Sequence, residues 1–283
     1  MEIHYFKGQK IKTGLLIISL FTSGIIYSQT QKGMVLSTEN NSGIGFVNIG
    51  IIGKSVGTVS DAKGNFSITL DKIYDKDSLR FSMIGYEPRT YLISQFKDLP
   101  EKNIYLKPEI YKIQEISVTS RKRKLREVIL GKSVTAGNLI SGFAFNDLGA
   151  ELGINVSVKN QVRLKDINFN VAKCSFDSVT YRLNVYQLTD NKDYINILLK
   201  PIYISFSKDN ISNVISCDLR NYSILVEGNV LITLELYKDL GEGSLLFYTD
   251  PKPGFTMHKK TSEANWIRAP GVIGMYLHGL VIK

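Results

Sequence analysis

Apolar and polar residues alternate with a period of two through most of the chain, the pattern of strands with one buried face. Phe66, Ile68 and Leu70 form one such run, and Leu79, Phe81 and Met83 form the next. Asp61-Ala62-Lys63-Gly64 lies just before the first run. Asp at the first position and Gly at the fourth suit a type I turn, with Gly64 in the left-handed conformation of a bulged hairpin. Gly85 closes the second run, and Tyr86 and Pro88 mark a sharp exit. From Val134 onward the alternation resumes, in Ile154/Val156/Val158, Ile167/Phe169/Val171, Tyr181/Leu183/Val185 and Val230/Ile232/Leu234/Leu236, and it recurs as far as Ile273/Met275/Leu277. Turn residues at Lys159-Asn160, Asp190-Asn191, Glu227-Gly228-Asn229 and Pro251 to Gly254 are expected to separate these strands. No amphipathic helix intervenes. The expectation is an all-β chain whose second half is an antiparallel sandwich, jelly-roll-like, of about eight strands.

The first half carries a more specific pattern. Gly57, Thr58, Ser60, Asp61, Gly64, Phe66 and Ile68, followed by Leu79, Phe81, Ser82, Gly85 and Tyr86, resemble the carboxypeptidase regulatory-like domain. The run Gly45 to Ile51 resembles that family's second strand, and the likeness extends over roughly Lys32 to Leu106. It implies a small transthyretin-like β-sandwich that is normally an accessory, so it speaks for fold and not for an activity. Asp61, Gly64, Phe66, Gly85 and Tyr86 then have structural roles.

Residues 1–28 read as a secretory signal. Lys7, Lys10 and Lys12 precede the apolar run Leu15 to Phe21, which continues through Ile25-Ile26-Tyr27, and Ser28 offers a small residue for cleavage. An uncleaved anchor is the alternative, but polar residues interrupt the run and leave it short of the ~20 apolar residues a span needs. The expected organisation is a signal at 1–28, the regulatory-like module at 31–108, a basic connector at 109–133 and the second sandwich at 134–283. The protein is therefore expected to be exported to the periplasm, the outer-membrane surface or the medium.

Composition narrows the function classes. With 43% hydrophobic and 22% charged residues, the chain is an ordinary globular one. The net charge of +9 is concentrated in Arg121, Lys122, Arg123, Lys124 and Arg126. One basic run in a connector is not the spread basic face of a nucleic-acid binder. It reads as a solvated linker, or as a peripheral contact to acidic headgroups or polysaccharide. The strand Gln114 to Thr119 just before it resembles the connector of TonB-dependent outer-membrane receptors, but the residues that follow are too few for a receptor barrel. One or two helical turns are expected around Leu125–Leu130.

Candidate chemistry is sparse. His258 and His278 belong to no zinc-binding pattern, so neither a metal nor another cofactor is expected. Gly53-Lys54-Ser55 and Gly131-Lys132-Ser133 lack the upstream glycine of a phosphate loop, and no nucleophile elbow is present. Asp75-Lys76-Asp77 suits a turn better than a calcium site. The single tryptophan, Trp266, stands between Asn265 and Arg268. It is either a stacking platform for a sugar with polar neighbours or, the favoured reading, a plug at the sandwich edge. Cys174 and Cys217 are the only cysteines, and export would permit a disulfide between them. No catalytic residue is assigned. The expected role is binding or adhesion at the envelope, with a polysaccharide or an envelope protein as partner. A carbohydrate-binding accessory and an unrecognised hydrolase in the second module are the alternatives. Two close carboxylates in a deep cleft would favour the hydrolase.

Overall fold

The computed structural model describes residues 28–109, 126–207 and 214–282. Alternation does what the sequence predicts in the first module. β1 (Ser28–Ser37) pairs antiparallel with β4 (Asn65–Asp71) and parallel with β7 (Asn103–Leu106). Facing this sheet is a second one of four strands, β3 (Gly57–Val59), β2 (Asn48–Ile51), β5 (Ser78–Ser82) and β6 (Arg89–Leu92), in that order. The parallel β1–β7 pair is connected through the strands between them, and the short helix α1 (Ile93–Asp98) is the last link, from β6 to β7, burying Ile93 and Phe96. Phe66 from one sheet meets Phe81 from the other with ring centroids 5.5 Å apart, edge to face. Asp61 ties the turn before β4: its Oδ1 accepts from the Lys63 and Asn65 amides at 2.8 Å, and Gly64 adopts φ 89°. Gly85, with φ 87°, turns the chain out of β5, and Tyr86 bridges to Pro108.

The second module is also all β, with eleven strands joined by hydrogen bonds among the described residues. They are β8 (Arg126–Lys132), β9 (Ile140–Phe143), β10 (Glu151–Cys174), β11 (Ser178–Leu188), β12 (Tyr194–Asn196), β13 (Ile202–Ser207), β14 (Val214–Asp218), β15 (Leu225–Glu235), β16 (Leu245–Lys259), β17 (Ile267–Ile273) and β18 (Met275–Val281). β10 explains how they make a sandwich. Its first half pairs with β15 and its second half with β14 and β18, and the register shifts between Val158 and Val162. One strand thus serves both layers, and a single apolar cluster holds side chains from both of its halves.

Several expectations need correction. Lys159-Asn160 is not a turn but the irregularity inside β10, and Pro251 to Gly254 is a similar shift inside β16. Gly, Asn and Pro serve bulges as readily as turns, so local chemistry could not separate the two. The expected helical turns at Leu125–Leu130 are replaced, over the described part, by β8, which pairs along β18 from Val281 to Met275. The connector therefore ends earlier than 133. Cys174 and Cys217 are not joined: Cys217 stands opposite Ile167, and Cys174 lies seven residues further along the same strand, roughly 20 Å away. The signal at 1–28 apart from Ser28, the strand Gln114–Thr119, and Arg121 to Lys124 lie outside the described residues. No described helix is long and apolar enough to cross a membrane.

Candidate functional site

Because β10, β11 and β15 alternate, one face of each lines the apolar core and the other points outward. Register brings four charged residues of that outward face into one row. Arg182 on β11 stands opposite Glu235 on β15, Glu235 opposite Glu151 on β10, and Glu151 opposite Lys259 on β16. The row reads plus, minus, minus, plus. Glu235 is 0% exposed, and Arg182 and Glu151 are 1% exposed. Isolated charges at such depth would be prohibitive, so the row holds together only as a paired network.

Its bonds are nearly saturated. Arg182 donates from Nε and Nη2 to the two Glu235 oxygens at 2.9 and 2.7 Å, the two-pronged geometry a guanidinium favours. Asn184 adds a third bond to Glu235 at 2.6 Å. Glu151 accepts from the Tyr186 hydroxyl and from Lys259 Nζ, each at 2.8 Å, and from Thr233 Oγ1. Burial pushes the Glu151 carboxyl above its ordinary range, only partly countered by Lys259 and reinforced by Glu235. Burial also works to raise Glu235, but there the Arg182 charge and bonds prevail, and the group sits below its ordinary value. Two neighbouring carboxyls are thus driven apart in acidity by their partners.

The first module closes this row. Arg182 Nη1 donates to the Phe46 carbonyl at 2.7 Å, and Nη2 donates to Asn48 Oδ1 at 2.8 Å. Phe46, in the left-handed region at φ 61°, packs its ring edge-on against Tyr237 at 4.8 Å. Ile84 packs against the second module's core. The loop between β16 and β17 docks as well: Ser262 bonds the Thr58 carbonyl at 2.8 Å, and Glu263 accepts from Ser82 at 2.6 Å. Along this seam runs a shallow groove of about 510 Å³ floored by Phe46, Leu148 and Tyr237. Neither Glu151 nor Glu235 lines it.

The three residues singled out around Trp266 part company. Asn265 donates to the Gly53 carbonyl at 3.0 Å and so belongs to the module seam. Trp266 stands edge-on to Tyr186 and Tyr194, with centroids at 5.8 and 6.0 Å, and Lys259 Nζ lies 5.0 Å from its ring. Arg268 instead covers the Phe255 ring at 4.5 Å. Trp266 is half-buried, closing the lysine end of the charged row. His278 bonds Asp166 at 2.7 Å, and Asp75 bonds Lys97 at 2.6 Å. The described residues contain no cluster of His, Cys, Asp and Glu suited to a metal. The charged row was missed because its members are scattered between residues 151 and 259. One signal was available: Arg182 and Glu235 each sit between large apolar neighbours, in Tyr181-Arg182-Leu183 and Leu234-Glu235-Leu236.

The fold and the seam define an all-β protein of two modules joined through a buried polar interface. Residues 31–118 match the family model of the CarboxypepD_reg-like domain, so the first module is of that kind. No curated protein matches the chain. Among solved structures, the infectious bursal disease virus VP2 subviral particle is 10% identical with a TM-score of 0.24, over 91% of this chain and 65% of that one, just under two thirds. A score so low does not indicate a shared fold.

Proposed function

We propose that this is an exported, non-catalytic envelope protein that binds a polysaccharide or another envelope component through its second sandwich, braced by the CarboxypepD_reg-like module. The carrying observation is the state of Glu151 and Glu235. Carboxylate chemistry needs a substrate within hydrogen-bond reach, and these two are saturated by protein donors and 0–1% exposed. They serve the join between modules. The leader-like residues 1–28 support export, and the basic run ending at Arg126 adds an electrostatic hold on acidic envelope surfaces.

Expression of the full chain in an exporting bacterial host tests this. The expected product is an envelope-fraction protein whose mass places its N-terminus near Gln29, inert towards glycoside, ester and peptide substrates. Retention in the cytoplasm at full length would overturn export. Turnover abolished by Glu151→Gln would overturn the non-catalytic reading and favour the hydrolase.

A further inference from the structure

The second module has two outward sheet faces, and the first module occupies only one. The other belongs to β14, the second half of β10, β18 and β8. Register sets two rows across it. Ser216, Asn168 and Tyr276 stand side by side in one, and Asp218, Asp166 and His278 in the next. The face is open at the edges of these rows: Ser216 is exposed and Tyr276 half-buried, and the side chain of His278 is 41% exposed and that of Asp166 25%, whereas Asn168 between them is buried.

Each acid here already has a base. His278 Nδ1 meets Asp166 Oδ1 at 2.7 Å, Arg220 Nη2 meets Asp218 at 2.5 Å, and Lys165 meets Glu127 at 2.8 Å. Among the described residues one base of this face, Arg163 opposite Leu280, is exposed and outside any ion pair. A single such charge offers little to a polyanion, whose binding needs several uncompensated Lys or Arg. What remains unused is uncharged hydrogen-bonding capacity. Among the described residues, the Ser216 and Tyr276 hydroxyls and the second ring nitrogen of His278 have no hydrogen-bond partner. Asn168, buried between Ser216 and Tyr276, donates its amide N–H to Asp166 at 2.6 Å and so holds the row in place without facing a ligand. Tyr276 stands edge-on to His278 at 5.6 Å, and the residue opposite it on β8 is Gly131, which has no side chain to cover the ring.

We infer that this face is a binding site for a neutral polysaccharide, with the Tyr276 ring as the stacking surface and Ser216 and His278 as hydroxyl partners. A flat aromatic beside a hydroxyl and an imidazole, with acids and bases in near balance, complements a sugar ring: apolar on its faces, hydroxylated on its rim, uncharged. This rests on the binding role proposed above and names its ligand class and location.

Affinity electrophoresis of the mature chain through gels containing hydroxyethyl cellulose, laminarin, xylan or dextran tests it, with alginate and heparin as anionic controls. Retardation by at least one neutral polymer is expected, weakened about tenfold by Tyr276→Ala, and unchanged by Trp266→Ala. Ser216→Arg, at an exposed position away from the core, should block binding without disturbing the fold, and it keeps the test decisive if Tyr276→Ala is unstable. No retardation by any neutral polymer, or retardation by the anionic ones alone, would overturn the inference. Loss through Trp266→Ala but not through Ser216→Arg would also overturn it, while leaving the binding role standing. Shortening of the polymer, stopped by Glu151→Gln, would overturn both.

Discussion

At the scale of single residues, Gly64 and Glu151 make the sharpest claims. A Cβ on Gly64 would lie 2.6 Å from the Val35 carbonyl oxygen, at a φ of 89° that side chains resist. The backbone term alone is about 1–2 kcal/mol, so Gly64→Val should lower the melting temperature by at least about 2–8 °C in calorimetry. Binding to the second module's free face should survive in the folded fraction. Glu151 and Glu235 predict opposite responses to acid. A carboxyl held above 4.5 binds its proton more tightly in the folded state, so the Glu151 contribution to stability grows as pH falls towards 4.5. Glu235, held below 4.5, contributes fully above that value, and the contribution fades as pH falls through its folded pKa. For the pair, stability should peak near pH 4.5. Urea unfolding followed through Trp266 should therefore show the wild type gaining on Glu151→Gln between pH 7 and pH 4.5. A difference that stays constant over that range would mean the Glu151 carboxyl is not raised.

At the scale of elements, the charged row works as cross-strand pairing carried over four strands. Removing one partner of a buried pair strands the other, at a cost of about 3–5 kcal/mol, whereas replacing both by apolar groups is often near neutral. Arg182→Met should accordingly lose about 3–5 kcal/mol in urea denaturation. Arg182→Met with Glu235→Leu should lose clearly less, because no carboxylate is left bare. Equal losses would assign the effect to the Phe46 and Asn48 contacts. Much of this level was legible in advance. Alternation located the cores of β4, β5, β10, β11 and β15, because a period of two is a local property. Where the chain turns rather than bulges is decided by a partner strand, so Lys159-Asn160 and Pro251 to Gly254 were misread. Burial of Arg182 and Glu235 was hinted at by their apolar neighbours, but their pairing was illegible for the same reason: they are 53 positions apart. The Trp266 neighbourhood was legible in composition only, since side chains of residues 265, 266 and 268 diverge as the loop enters β17.

At the scale of the whole molecule, the seam changes what a cut between modules should do. The basic run around Arg121–Lys124 presents closely spaced trypsin sites between two folded units. Brief trypsin treatment should nick there, yet the two fragments should elute together in gel filtration, held by Arg182, Ser262, Asn265 and the packing of Ile84. Separation without denaturant would show that the seam is too weak to matter. The long strand β10 carries a different consequence, for the order of events in folding. Its partners arrive late: Val156 waits for Val230, and Ile167 waits for Leu277. Contacts so distant along the chain close slowly, typically in milliseconds to seconds, and no early fragment can satisfy the strand. β8 has the same dependence, since β18 is its pairing strand. The second sandwich should therefore stay open until Met275–Val281 is available, a chain competent for threading and exposed to aggregation until its last strand docks.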